Sequence, residues 1–149
     1  MGRLPGLRIC LCLLGLAWSL AARAEVCIIV NPENPVHAMT PREVSDLYLG
    51  RTRSFDPGEG RPSWPASIYD QVDGSPLRET FFRALNGMDI RRLNAYWARL
   101  RFSGEVLPPK ALPDGKAVLD AVRRDRNGIG YVHSSEIDDS VRIVLRLKE

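Results

Sequence analysis

Residues 73–82 combine the side chains and backbone features that most readily bind an anion. Gly74 can adopt turn dihedrals that other residues avoid, Ser75 is a favoured helix N-cap, and Pro76 suits the first helical position. A helix start with free N–H groups, a hydroxyl and the nearby guanidinium of Arg78 is typical of an oxyanion site. The same residues also fit a plain capped helix on which Arg78 faces solvent, and N-caps are far commoner than ligand sites.

The other reactive side chains do not follow a known catalytic or metal-binding pattern. Ser134 and Ser135 adjoin His133, but no nucleophile elbow or third orienting group accompanies them. Glu136 and Asp138 follow closely, without the recurring spacing that a metal shell needs. We therefore expect no catalytic residue, no metal and no cofactor, and a protein that is not an enzyme.

The N-terminal segment has the features of a secretory leader. Arg3 and Arg8 precede an apolar run over residues 9–22, and Ala22 and Ala24 form a small-x-small cleavage site. The run is too short for a transmembrane anchor, which is the alternative interpretation. The sequence therefore predicts a signal peptide over residues 1–24, a single domain over residues 25–149, and a periplasmic or secreted protein with no membrane insertion after cleavage.

Loss of the leader changes the charge of the chain. Removing its three arginines from the 21 basic residues leaves 18 basic and 18 acidic residues. A neutral domain gives no reason to expect nucleic acid or an acidic membrane as a partner. Cys27 remains as the only cysteine of the domain and lies in an apolar run, so we expect a buried thiol and no intramolecular disulfide.

Hydrophobic periodicity and helix caps predict a mixed α/β domain. In the helix after Ser75, the residues Leu77, Phe81 and Leu85 recur at helical spacing and are expected to form its buried stripe. We expect Tyr96 and Trp97 to pack against Phe81 or Phe82. The predicted strands cover residues 26–30, 66–72, 129–132 and 141–147, and the predicted helices start at Thr40, Ser75, Asp89 and Asp114. Residues 51–65 and 102–113 are expected to be irregular.

Three segments together resemble the phosphate ABC transporter substrate-binding protein family. Residues 38–52 are similar to a helix followed by the family's Ile-Phe-x-Gly-Lys segment. The Asp73-Gly74-Ser75 sequence matches the start of its phosphate-contacting turn, and residues 128–132 match its Gly-x-Ile-Gly-Tyr segment. The resemblance implies a single-lobe, type II periplasmic binding protein-like domain, with a mixed sheet flanked by helices.

The resemblance also implies a ligand and partners. The ligand would be inorganic phosphate or another oxyanion, and the partner a membrane permease or another periplasmic protein. The ligand-binding residues would be Asp73, Gly74 and Ser75 of the matching turn, together with Leu77 and Arg78, whose N–H groups lie at the start of the helix. Asp73 would accept a hydrogen bond from a protonated oxyanion, which is how the family distinguishes phosphate from sulfate.

The chain departs from the family where the turn enters the helix. The family continues with Gly-Thr, and this chain has Pro76 and Leu77, which removes one N–H donor and one hydroxyl. With so few contacts left to offset the entropy of association, we expect weak binding, roughly millimolar to tens of micromolar. Replacing Ser75 and Arg78 together by alanine is expected to remove binding and leave the fold intact. The alternative function is a structural or interaction protein that keeps the fold and has lost the ligand.

Overall fold

The computed structural model describes Gly2 and residues 25–104 and 106–149. Apart from Gly2, the predicted signal peptide lies outside the described residues. Within the described ranges, no helix is both long enough and apolar enough to cross a bilayer.

A five-stranded mixed sheet carries the site described below. The strands in chain order are β1 (Glu25–Val30), β2 (Ser54–Phe55), β3 (Trp64–Pro65), β4 (Ser67–Gln71), β5 (Lys110–Leu112), β6 (Gly128–His133) and β7 (Arg142–Lys148). The sheet order is β5-β4-β6-β1-β7, and β2 and β3 form a separate antiparallel pair. Strand β4 runs parallel to β5 and β6, whereas β1 is antiparallel to β6 and β7. The predicted mixed α/β fold is confirmed.

Four helices flank the sheet in the described ranges, and each begins at the N-cap that its sequence predicts. They are α1 (Pro41–Tyr48), α2 (Pro76–Asn86), α3 (Ile90–Ser103) and α4 (Gly115–Arg124), with a short 3₁₀ helix at Ser134–Glu136. The side chains of the N-caps each accept a hydrogen bond from a backbone N–H of the first turn; they are Thr40, Ser75, Asp89 and Asp114. These polar side chains fix where the helices start.

The sequence analysis did not predict the short strands. The β2–β3 pair lies in residues 51–65, and β5 lies in residues 102–113, both of which were predicted to be irregular. Each of these strands has two or three residues, which is too short for an alternating pattern to show. Strand β5 is ordered by pairing with β4, and its sequence alone does not indicate that pairing.

Aromatic rings fill the larger part of the core, on the side of the sheet that α1, α2 and α3 cover. Phe81 stacks on Tyr131 with centroids 3.8 Å apart and meets Tyr48 edge-on at 4.8 Å. Trp97 is buried, as expected, but its ring partner is Tyr96, at 5.4 Å. Trp97 does not pair with the ring of Phe81 or Phe82 as expected, because Tyr48 of α1 occupies the space beside those two rings.

On the opposite face, α4 packs unusually close to β6. A Cβ at Gly130 would overlap Cγ1 of Val118 and lie 3.2 Å from Cγ2 of Val122. Cys27 lies in the neighbouring strand, is fully buried, and its pKa is raised chiefly by burial. The prediction of a buried thiol is confirmed.

Candidate functional site

The predicted anion-binding turn connects β4 to α2. Strand β4 ends on two buried polar residues, Asp70 and Gln71. The turn closes with a 3.1 Å hydrogen bond from the N–H of Ser75 to the carbonyl of Val72, and Gly74 adopts a φ of 88°. Only glycine takes this φ without strain, so the turn depends on Gly74.

Ser75 uses its hydroxyl within the protein. Its Oγ accepts a hydrogen bond from the N–H of Arg78 at 3.3 Å and donates one to Oε1 of Gln71 at 2.7 Å. The N–H of Glu79 donates to the Ser75 carbonyl, and Pro76 has no N–H. In the first turn of α2, only the N–H of Leu77 makes no hydrogen bond with the described residues. The helix start therefore offers an anion few donors.

Arg78 is buried in a double ion pair. Its Nε lies 3.1 Å from Oδ2 of Asp70, and its Nη1 lies 2.9 Å from Oδ1 of Asp73. The Arg78 and Asp70 side chains are 8% and 6% exposed, whereas Asp73 is 78% exposed. The guanidinium also lies 5.5 Å above the ring of Phe82. The interpretation in which Arg78 faces solvent is wrong.

Helix geometry explains the burial of Arg78. Arg78 precedes Phe81, Phe82 and Leu85 by three, four and seven positions, so it lies on the buried face of α2. The predicted stripe began at Leu77, which is only half-buried. The spacing from Arg78 to the two phenylalanines is the signal that could have placed it correctly.

Two residues that were not predicted as part of the site hold Asp70 in place. The hydroxyl of Tyr131 donates to Oδ1 of Asp70 at 2.5 Å, and the N–H of Gln71 donates to the same oxygen at 2.8 Å. Burial, the negative charge of Asp70 and this hydrogen bond raise the pKa of Tyr131 far above its usual range. Tyr131 thus remains a donor at neutral pH.

Two neighbouring cavities divide the predicted site residues. The first, the Arg78 cavity, has a volume of about 420 Å³, and its wall includes Asp70, Asp73, Arg78, Asn94 and Arg101. The second, the Ser75 cavity, has a volume of about 360 Å³, and its wall includes Ser75, Leu77, His133, Glu136 and Glu149. Gln71 contributes to both walls, and Gly74 is in neither. Asp73 and Arg78 thus line one cavity, and Ser75 and Leu77 line the other.

The charges of the two cavities differ. Arg78 and Arg101 balance the carboxylates of Asp70 and Asp73 in the first cavity. The second cavity has Glu136 and Glu149 in its wall and neither lysine nor arginine, so it repels an anion. Of the two, the Arg78 cavity is the better candidate for an anion.

His133 has a structural role. Its Nδ1 accepts a hydrogen bond from the N–H of Ser135 at 3.3 Å, and Oε2 of Glu136 accepts one from the N–H of His133 at 3.1 Å. These bonds cap the 3₁₀ helix. The described part of the chain contains no group of three histidine, cysteine or acidic side chains arranged to hold a metal ion.

The fold matches solved structures of proteins described in terms of phosphate transport. No protein-family model matches this chain, and no curated protein sequence matches it. A Clostridium perfringens protein described as a phosphate ABC transporter substrate-binding protein, solved with bound phosphate, is similar over 82% of this chain and 45% of its own, at 21% identity and a TM-score of 0.64. An ABC-type phosphate transport receptor from Vibrio cholerae is similar over 82% and 47% respectively, at 15% identity and a TM-score of 0.62.

PstS from Borrelia burgdorferi is similar over 82% of this chain and 47% of its own, at 13% identity and a TM-score of 0.59. The chain thus spans less than half the length of each of these three structures. At such identities the likeness concerns the fold, and the predicted resemblance in fold is confirmed.

Proposed function

We propose that residues 25–149 form a solute-binding lobe that holds a protonated oxyanion of the phosphate class, weakly, in the Arg78 cavity. The observation that carries this proposal is the pairing of Arg78 with Asp73. A buried guanidinium at the cavity wall has as its outer partner a carboxylate that is 78% exposed. A structure of the same fold that contains phosphate supports the assignment.

The inner partners of Arg78 hold the guanidinium in a fixed orientation. Asp70 binds Nε, and Tyr131 and the N–H of Gln71 fix the Asp70 carboxylate in turn. The guanidinium is therefore preorganised, and an incoming ligand does not have to order it. On the Nη edge of Arg78, a ligand would share the guanidinium with Asp73.

Asp73 would select a ligand that carries a proton. An oxyanion that inserts between Arg78 and Asp73 accepts hydrogen bonds from the Nη atoms and faces the Asp73 carboxylate. Monohydrogen phosphate can donate its proton to that carboxylate, whereas fully ionised sulfate has no proton to donate and faces the carboxylate with unprotonated oxygens. Arg101 and Asn94 of α3 line the same cavity and can add donors. So few contacts give an affinity of roughly millimolar to tens of micromolar.

Titration at low ionic strength tests this function. Phosphate should shift the amide resonances of residues 70–78 and 94–101, and sulfate should shift them much less. Asp73→Asn should abolish the preference for phosphate, and Arg101→Gln should weaken binding. Arg124→Gln, which replaces an exposed arginine of α4, is the control and should bind as the unchanged protein does. If tens of millimolar phosphate shifts none of these amides, the proposal is wrong.

The second candidate function is that of an interaction protein that keeps the lobe and binds no solute. The second function is favoured because the polar groups that could bind an anion already have partners within the protein. Ser75 donates to Gln71, and Arg78 pairs with two carboxylates. A membrane permease or another periplasmic protein is the proposed partner in either case. Failure of the phosphate titration would leave this second function in place.

The proposed location is the periplasm or the exterior, reached through a signal peptide over residues 1–24. The predicted cleavage leaves Glu25 as the first residue, at the start of β1. N-terminal sequencing of exported protein tests this proposal. An exported product that still contains Trp18 would contradict it.

A further inference from the structure

The outward face of α3 is a stripe of exposed residues. Arg91, Ala95, Ala98 and Phe102 follow one another at helical spacing, and all four are exposed. Leu93 and Trp97 point the opposite way and are buried in the core. The helix is thus anchored through one side and presents the other to solvent along its whole length.

This face carries positive charge that the described part of the chain does not neutralise. Helix α3 contains four arginines and no acidic residue. None of the four forms an ion pair with a described residue; they are Arg91, Arg92, Arg99 and Arg101. Arginines on other helices are paired, for example Arg83 with Glu79 at 2.6 Å and Arg123 with Asp120.

Two large apolar side chains at and just after the C-terminal end of α3 are exposed. Phe102 is 94% exposed and Leu107 is 83% exposed. Single exposed apolar residues are common, but Phe102 here lies on the same helix face as Arg91, Ala95 and Ala98, and Leu107 follows it by five residues. Exposed arginines and an exposed phenylalanine are residue types that protein-binding surfaces favour.

We propose that this surface, the α3 face (residues 91, 92, 95, 98, 99, 102 and 107), docks an acidic segment of a partner protein. The partner would place carboxylates against Arg91, Arg92 and Arg99 and an apolar side chain against Phe102 and Leu107. Ala95 and Ala98 leave room for a helix to approach closely. The proposal goes beyond oxyanion binding and does not depend on it.

Charge and side-chain size argue against the other occupants. A second copy of the chain would bring two arginine-rich faces together, because a two-fold interface is self-complementary. A lipid surface requires a row of large apolar side chains along the inserted face. On α3 those residues, Leu93 and Trp97, point into the core.

A defined peptide tests the electrostatic recognition. The probe is a synthetic helical peptide with glutamates flanking leucines, compared with the same peptide carrying lysine in place of glutamate. At low salt the glutamate peptide should shift amides of residues 90–104 and Leu107, and added salt should reverse the shift. R91E/R99E should weaken binding by about tenfold or more, since steering and pairing are both lost. R42E/R124E reverses two exposed arginines elsewhere and should bind normally.

Cross-linking in cells tests the partner's chemistry. A photo-reactive amino acid at Ala95 should cross-link to a segment of net negative charge, and R91E/R99E should abolish the cross-link. Equal binding of the lysine peptide, or a cross-linked segment without net negative charge, would overturn the proposal. So would binding to phosphatidylglycerol vesicles in place of the peptide, which would assign the face to a membrane. A dimer in sedimentation that R91E/R99E dissociates would assign it to a second copy of the chain.

Discussion

The hydroxyl of Tyr131 donates a 2.5 Å hydrogen bond to the Asp70 carboxylate, 61 residues away in the sequence. The same carboxylate binds Nε of Arg78, so one chain of polar contacts connects β6, β4 and α2. Each member is buried, and the proton of Tyr131 is directed at the carboxylate. This chain fixes the start of α2 relative to the sheet, and with it the wall of the Arg78 cavity.

Replacing Arg78 should destabilise the fold severely. Arg78→Met leaves the Asp70 charge buried without its cation, and we expect a loss of about 3–5 kcal/mol of unfolding free energy. Asp73→Asn is the matched control, because Asp73 is exposed, and it should cost less than about 1 kcal/mol. Urea unfolding measures both. The expectation that the Ser75→Ala and Arg78→Ala double variant keeps its fold intact is therefore revised, and equal losses for Arg78→Met and Asp73→Asn would contradict this account.

The pair of Tyr69 and Asp125 should make stability depend on pH. The Tyr69 hydroxyl donates to Oδ2 of Asp125 at 2.7 Å, and burial together with this bond raises the pKa of Tyr69 to about 12. Burial alone would raise the pKa of Asp125, but hydrogen bonds from Tyr69, the N–H of Asn127 and Ser67 outweigh it and lower that pKa below 3.8. The ionised Asp125 thus stabilises the fold above its ordinary pKa, and the contribution is lost as the pH falls through the lowered value.

Tyr69→Phe should lower the unfolding free energy at neutral pH and flatten its decline on acidification. The raised pKa of Tyr69 affects stability only at alkaline pH. There the contribution of the protonated hydroxyl to the unfolding free energy is lost as the pH rises from 10 towards 12. Tyr96→Phe is the control, because the Tyr96 hydroxyl donates to the uncharged carbonyl of Leu49 at 2.7 Å. The control should lower stability equally at every pH. Urea unfolding from about pH 2 to 7 separates the two variants, and parallel curves for both would refute the assignment.

Position 130 should tolerate a side chain larger than that of glycine only when the facing Val118 of α4 is replaced by a smaller residue. Gly130→Ala places a methyl group on Cγ1 of Val118, and overpacking of this kind costs about 1–3 kcal/mol. Val118→Ala alone leaves a cavity and is also destabilising. The double variant should be more stable than the sum of the two losses predicts, with a favourable coupling of at least about 0.5 kcal/mol. Strictly additive losses would show that α4 does not press on β6 at this point.

Trp97 of α3 should contribute to stability because its ring is buried against the loop that follows α1. The residue is 4% exposed, and its indole edge lies against Gly50. Trp97→Ala should cost about 3–5 kcal/mol, and Trp97→Phe should cost less because it leaves a smaller cavity. Thermal unfolding measures both variants. An equal and small effect for the two would mean that the ring packs loosely.

The sequence was most informative where local chemistry decides the structure. Ser75 begins α2 as predicted, because an N-cap needs only its own first turn. The direction of the Arg78 side chain depends on Asp70 and on the packing of Phe81, which the turn motif does not include. Tyr131 entered the prediction as part of a strand and of the family's Gly-x-Ile-Gly-Tyr segment but not as a site residue, since its bond to Asp70 requires β4 and β6 to be neighbours. The candidate site was thus predicted in part. Its contacts between residues far apart in the sequence could not be predicted without knowing which strands are neighbours.

The position of β1 in the sheet has a consequence for how the chain folds during its synthesis. Strand β1 lies between β6 and β7 in the sheet, and both of these strands follow it by about 100 residues in the sequence. A nascent chain that has not yet reached Gly128 therefore holds the apolar strand Val26–Val30 without either of its pairing partners. Until β6 and β7 are available, the chain holds an unpaired apolar strand, which is the kind of segment that chaperones bind and that aggregates when they do not. The sheet can therefore close only once β7 is available to pair with β1.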